Sequence, residues 1–541
     1  MKEDQRRLSE QLTLLEAIQY SDLGQPYRDA GIHSNQAERD PETHHDVRLL
    51  DTIALLLATG EPGDVFAAAF DRRSKPVELV LAKNGLPTSR DIAAADKLLS
   101  LIASPTIPVR AFFRFLLDRC GTNVNKRIAS LHQSIQDNKL RADFALKLEQ
   151  YHSEPNIALE FPVTNGLLAQ FHQDSFAKVW SNLIEDMTDV SAEALDAQDE
   201  VQSSRVYNRI LLHANVLVRS RFFNDILNNP GNPKCKWRVE RLKRRLDKML
   251  QYSNGVKQLI KKREGLFPIS HRWVLTNFTE TGESVFRLSS NVHLAISHGL
   301  QCPLSTETKN ELNANFPDMI TDWEKNRTRR VHTHLHAELR IILYLGQPRT
   351  GEPLVWAIGV SKRSCLCCAL WIYLHNEEFE TKWMTSGSHG KPYPNWALPG
   401  TACAYAKQPD GRSSVDKTLL AGVSMRLKDA LNKLSPGQNR VSDEFTSGGE
   451  SSDGAYSDAS LTESHEQHAS RTETSTQPED STSTVPTSVS GTASVWSAPV
   501  TEVNSAPHLP KQPSKSPATS KLSWANVARC EFLLLLSIYF N

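Results

Sequence analysis

His336 and Glu338 open one apolar run, "HAELRIILYL", and Cys365 and Cys368 open another, "CLCCALWIYL". A Cys-x-x-Cys pair at a helix start sets both sulfurs in the first turn, where unbonded backbone N–H groups and the helix dipole favour thiolate over thiol. Zinc takes cysteine sulfur and histidine nitrogen in a tetrahedron, so two thiolates are half a site and His336 offers a third donor. With three protein donors the fourth position belongs to water, which the ion acidifies toward neutral pKa, and Glu338 is the group to manage that water's protons. The pair by itself would also suit redox chemistry or plain packing. The histidine segment shifts the balance toward a metal.

Residues two apart on a regular helix point about 200 degrees apart, so His336 and Glu338 converge only where a helix is beginning. The periodic run Leu339, Ile342, Leu343 starts just after them. Both halves of the site therefore fall at helix amino termini, each after an extended segment, and open α/β sheets bind ligands at strand ends. Near neighbours carry blander expectations. Cys367 is a small buried apolar group; His332 and His334, alternative ligands in principle, lie at a strand end or loop; Cys403 has no paired partner. Downstream, "KWMTSGSHGKPYPNWALPG" gathers Trp383, His389, Tyr393 and Trp396, whose rings could stack on a planar base or equally cap the core.

The elements that must position these residues change character along the chain. Residues 1–45 read as a flexible segment. From 46 to 264 apolar residues recur at helical spacing, broken by clusters such as "NNPGNPK", and an all-helical accessory region is expected. Its last part, 234–263, carries twelve basic and two acidic residues, with Val239, Leu242, Leu246 and Met249 on one face. That describes an amphipathic helix whose cationic side could track nucleic-acid phosphates or simply face solvent. From 265 to 434 the grammar is α/β: strands at 271–278 and 284–292 with a turn between them, a helix from His336, a strand at 354–361, a helix from Cys365, and a last helix at 415–434. Between Val441 and Ser490, 21 of fifty residues are Ser or Thr, too little apolar surface to offset ordering entropy, so 435–522 is expected to be disordered. Residues 523–541 form a short apolar terminus.

His-x-Glu followed one strand later by Cys-x-x-Cys is the signature of zinc deaminases of bases. On those residues the chain resembles the cytidine-deaminase-like superfamily. More narrowly, "HAELRIILYL", "IGVSKRSCLCC" and "SGSHGKPYPNWALP" resemble an expanded fungal group of deaminase-like proteins also represented in intracellular bacteria, over about 271–399. The resemblance implies a three-layer α/β/α domain, zinc held by His336, Cys365 and Cys368, and Glu338 as proton shuttle in the hydrolytic deamination of a nucleobase-type amidine in a nucleoside, nucleotide or single strand. Many superfamily members have Pro before the first cysteine, where this chain has Ser364. A catalytically inactive, zinc-stabilised recognition or scaffold protein is the competing expectation.

Composition sets outer bounds. The 541 residues exceed what one core usually organises. Sixty-two basic residues balance sixty-two acidic ones, so any nucleic-acid argument must be local. Eight cysteines are too sparse for a secreted disulfide scaffold. The amino terminus is charged from its second residue, and the apolar run 532–540 is far short of the ~20 residues a membrane helix needs. An intracellular protein, cytoplasmic or nuclear and without a membrane span, is expected.

Overall fold

A computed structural model of the chain describes residues 2–22, 41–104, 109–151, 157–161, 176–192, 199–275, 284–325, 330–346, 355–400 and 413–433. The Ser/Thr-rich tail, the apolar terminus and Cys403 lie outside them. Among the described residues, no helix is long and apolar enough to cross a membrane.

Eight strands are described: β1 (Phe66–Asp71), β2 (Glu78–Lys83), β3 (Ser270–Trp273), β4 (Ser284–Arg287), β5 (Arg330–Thr333), β6 (Val355–Ala357), β7 (Gly359–Val360) and β8 (Lys382–Met384). They form small sheets in a mostly helical α/β structure. The four-stranded sheet runs β3-β2-β1-β7. Its centre is the β1–β2 hairpin, paired antiparallel from Phe66 opposite Lys83 to Asp71 opposite Glu78. β3 adds parallel to β2, β7 adds antiparallel to β1, and β6 pairs parallel with β8.

This hairpin corrects the expectation of an all-helical 46–264. "FAAAFD" and "ELVLAK" are buried on both faces, so they lack the polar alternation that marks a half-exposed strand. Phe66, Ala68, Phe70, Leu79 and Leu81 join a core formed with helix Pro41–Leu57 and the helices between Val109 and Lys261. Ala67, Ala69, Val80 and Ala82 join a second core with helices Ala337–Leu345, Leu366–Phe379 and Ser414–Lys433. The helical region is thus packed directly onto one face of the sheet. The strands expected at 271–278 and 284–292 also pair elsewhere than with each other: β3 lies on β2, and β4 is antiparallel to β5.

Helix Pro41–Leu57 crosses the sheet at close range. Asp51 Oδ1 accepts from Val360 N at 2.6 Å, and a Cβ on Gly359 would fall 2.0 Å from the Leu50 carbonyl carbon and 2.1 Å from the Asp51 nitrogen. Those are main-chain atoms that cannot swing aside. Gly359→Ala should therefore destabilise the protein by at least about 1–3 kcal/mol, the range for overpacked cores, read as a lowered midpoint in thermal melting.

The amino-terminal segment is the second correction. Lys2–Ala17 is a helix whose Leu8, Leu12, Leu14 and Leu15 are fully buried, packed against helices Val292–Leu300 and Ser414–Lys433. Its buried Glu10 accepts from Ser289 N at 2.8 Å and Ser289 Oγ at 2.7 Å, and meets His298 Nδ1 at 2.5 Å. Polar residues that read as solvent-facing are docking contacts.

Helix Pro233–Lys261 begins on Asn232, whose side chain accepts from Cys235 N at 2.7 Å. Val239, Leu242, Leu246 and Met249 are buried as expected. Several of its cations are engaged within the protein: Arg238 pairs with Asp143 at 2.5 Å, Lys243 with Asp247 at 2.8 Å, Arg245 donates to the Ser130 carbonyl at 2.6 Å, and Arg241 lies over the Trp237 ring at 5.2 Å.

Candidate functional site

His336 and Cys365 are both helix N-cap residues with extended backbones, φ −72° and −76°. That conformation turns each side chain back over the end of its helix. β5 leads into the first helix and β7 into the second, so two strand exits deliver the two caps. The histidine helix is anchored by Asn84 at the end of β2, whose Oδ1 accepts from Ala337 N at 2.8 Å. Arg340, one turn on, donates to the carbonyls of Lys83 at 2.6 Å and Val274 at 2.8 Å.

The caps meet. His336 Nδ1 lies 3.6 Å from Cys365 Sγ and 3.3 Å from Cys368 Sγ. The three ligand atoms all fall within 4.8 Å of one another, and all three residues are buried. A tetrahedral ion bound at about 2.0 Å to nitrogen and 2.3 Å to sulfur needs about 3.5 Å between the two donors, so this donor set fits a metal ion as it stands. Each sulfur also receives an N–H: Cys368 N to Cys365 Sγ at 3.4 Å, and the Trp396 indole Nε1 to Cys368 Sγ at 3.2 Å.

The electrostatics agree with a metal-competent cluster. Burial would raise the Cys365 thiol, but the Cys368 hydrogen bond and the His336 charge hold it well below the usual range. Burial would lower the His336 imidazole, yet the charge and hydrogen bond of Cys365 keep it above its ordinary value. Cys368 is pushed well up by burial and then by the Cys365 thiolate. Glu338, in the first turn beside His336, is 2 % exposed, and its Oε2 has no hydrogen-bond partner among the described residues. Burial first and the Cys365 charge next raise its carboxyl, against the pull of His336.

The turn before Cys365 is stitched to the loop 387–391. Ser364 N donates to the Gly387 carbonyl at 3.1 Å, His389 N to the Ser364 carbonyl at 3.1 Å, and Leu366 N to the Lys391 carbonyl at 3.0 Å. The first of these bonds needs an N–H that proline lacks, which gives a non-proline residue at 364 a structural reason.

The aromatic candidates separate. Tyr393, 36 % exposed, stands edge-on to His336 at 6.3 Å and to His389 at 5.6 Å, at the mouth of the site. His389 is half-buried, lowered to about 4 chiefly by burial, and its Nδ1 accepts from Lys391 N at 3.1 Å. Trp396 is fully buried and aims its N–H at a sulfur. Trp383 takes a packing position in β8, stacked on Trp356 at 5.3 Å. Of the two histidines weighed as alternative ligands, His332 is exposed on β5. His334 lies with its ring 5.5 Å from that of His336, is lowered to about 4 by burial, and leaves Nε2 without a partner among the described residues. Cys367 is fully buried in the core, in keeping with its packing role.

Both histidines line a groove of about 760 Å³ whose other wall comes from the segment 59–91 and Arg119. Its charges are paired across the wall: Lys83 Nζ lies 2.8 Å from Asp64 and 3.0 Å from Asp91, and Arg119 reaches Asp91 at 2.5 Å. Neither this wall nor Asn84 belongs to the motifs that mark the site. The signal that points to them is the pair of short apolar runs around "DRRSKP" and the turn-forming "NGLP" that follows the second.

The mixed α/β structure thus carries a buried His/Cys/Cys cluster able to hold a metal ion, with a buried carboxylate beside it. Residues 335–400 match the family model described as "OTT_1508_deam:-like deaminase", so the chain carries a deaminase-like domain. No curated protein and no solved structure matches the chain.

Proposed function

We propose that the protein is a zinc-dependent hydrolytic deaminase of a nucleobase-type amidine, carried in a nucleoside, a nucleotide or a single strand. The observation that carries this is the convergence of His336 Nδ1 and two cysteine sulfurs beside a buried Glu338 with one unpartnered oxygen. We further assign the sheet with its two helical cores to a three-layer α/β/α cytidine-deaminase-like unit. The β1–β2 hairpin then belongs to the catalytic unit, and the helices from Val109 to Lys261 are an insertion packed on it.

His336, Cys365 and Cys368 would hold the ion. When bound there, zinc supplies the Lewis acidity that makes a water nucleophilic at neutral pH. Glu338 would take one proton from the attacking water and deliver it to the ring nitrogen, then carry the second, from the hydroxyl left on the ring carbon, to the departing amine, so that one amidine and one water become a carbonyl and ammonia. Its raised pKa suits a group that must both accept and donate. Tyr393 offers a ring face at the mouth for a planar base, and His389, neutral at pH 7, offers a hydrogen bond. The groove beside His334 gives room for whatever the base is attached to.

A noncatalytic zinc-stabilised module is the second reading. Two features weigh against it: a structural zinc site closes with four protein donors, where three converge among the described residues, and a buried carboxylate with one unpartnered oxygen costs stability that a purely structural site has no reason to bear. The test is metal analysis of the full-length chain, followed by cytosine, adenine and guanine compounds, free and in oligonucleotides, screened for ammonia release. One zinc per chain with ammonia from at least one class supports the enzyme. One zinc with none released favours the module, and no bound metal removes both.

A further inference from the structure

Two features of the site are not used by the chemistry above: the indole of Trp396 and the buried polar face of the helix Lys2–Ala17. They meet at one strand-like segment. His334 N donates to the Asn395 carbonyl at 3.0 Å and Ala397 N to the His334 carbonyl at 3.1 Å, which lays Trp396 in parallel register beside the residue two before His336. On the other side, Gln5 uses its whole carboxamide. Its Nε2 donates to the Trp396 carbonyl at 2.9 Å and its Oε1 accepts from Leu398 N at 2.7 Å. Segment 395–398 is thus gripped from both sides, and the side chain it presents inward is the indole whose single N–H lies 3.2 Å from Cys368 Sγ.

The alternatives for Trp396 are narrow. An indole has one donor and no acceptor, and this ring is fully buried. A ring meant to stack on a base would need an open face. A hydrogen bond to a metal-ligating sulfur draws charge from it and fixes its direction, and such outer contacts tune metal sites strongly. The other sulfur is served by the backbone N–H of Cys368, so without Trp396 the two sulfurs would be unequal.

Resting on the metal reading above, we propose that Trp396 is a positioning residue of the metal centre: its N–H directs and polarises the Cys368 sulfur, and Gln5 of the amino-terminal helix is the clasp that holds it in place. The amino terminus then acts on the site without touching substrate. Loosening the clasp changes the ligand field of the ion and not merely the packing.

The test is the full-length chain loaded with cobalt(II) in place of zinc, read by its sulfur-to-cobalt charge-transfer absorption and by chelator competition. Trp396→Phe keeps most of the ring volume and removes the donor. It should move the band to longer wavelength, because an unbonded sulfur gives up its electrons more easily, and weaken metal affinity about 10- to 100-fold, the usual cost of losing an outer partner. Gln5→Met should move the band the same way by less. Trp371→Phe is the control: that indole is equally buried, on the same helix as Cys368, but donates to Asp416 at 3.1 Å. The proposal is overturned if Trp396→Phe binds cobalt with an unmoved band, or if Trp371→Phe moves it as far. A wild-type chain that takes up neither cobalt nor zinc overturns the metal reading itself, and this proposal with it.

Discussion

Glu338→Gln should lower turnover of the identified substrate by about 10²- to 10⁴-fold, the span for loss of a general acid–base group, while zinc stays at one per chain. Glutamine keeps the shape of the side chain and leaves His336, Cys365 and Cys368 untouched, but it cannot take or return a proton. A second effect has the opposite sign. The Glu338 carboxyl is raised above its ordinary value by burial, so the folded state favours the neutral form. That contribution is complete below the unfolded pKa and is lost as pH rises through the folded one. Chelated Glu338→Gln should therefore be more stable than the chelated parent at pH 7, and the gap should close as pH falls. Paired denaturant melts at pH 7 and pH 4.5 measure it. An inert variant that is also no more stable would mean that Glu338 is paired in solution and that the site is built differently.

The convergence of His336, Cys365 and Cys368 was legible because its parts are local. Cys365 and Cys368 need only one helical turn between them, and His336 and Glu338 only a helix start, so each pair declares its geometry over a few residues. Their meeting could be argued from the strand that precedes each cap. At "LVWAIGVS" the burial was legible, with Trp356, Ile358 and Val360 buried as continuous apolarity suggests, but the one strand expected there divides into β6 and β7, which pair in different sheets, and β1 and β2 were not legible at all. "FAAAFD" has no β-branched residue, and the hairpin it opens lies between two helices and takes its outer partners from far along the chain, β7 at 359–360 beside β1 and β3 at 270–273 beside β2. Nothing in a local window announces such partners. A fragment beginning at residue 265, which the sequence recommends as the catalytic unit, would leave out both central strands and Asn84. Trp396 fails for a related reason. Sequence can count an aromatic near the site, but where its N–H points depends on the register with His334 and on Gln5, almost four hundred residues away.

Removing residues 1–17 should abolish cooperative folding of the α/β part and with it metal binding. Burying Leu8, Leu12, Leu14 and Leu15 contributes about 1.5–3 kcal/mol each, an upper estimate for a chain that is already partly collapsed when unfolded. Even the low end, roughly 6 kcal/mol in total, rivals the ~5–15 kcal/mol that holds a whole domain folded. The deletion also uncovers the faces of helices Val292–Leu300 and Ser414–Lys433 that receive the helix, and strips His298 and Ser289 of Glu10. The milder variant Leu12→Ala should cost about 2–5 kcal/mol and lower the melting midpoint without preventing folding, so the two can be compared on one scale. A truncated chain that stays soluble, melts where the parent does and retains its zinc would show that the amino terminus is the flexible segment its composition suggests, and the Gln5 clasp on Trp396 would fall with the helix.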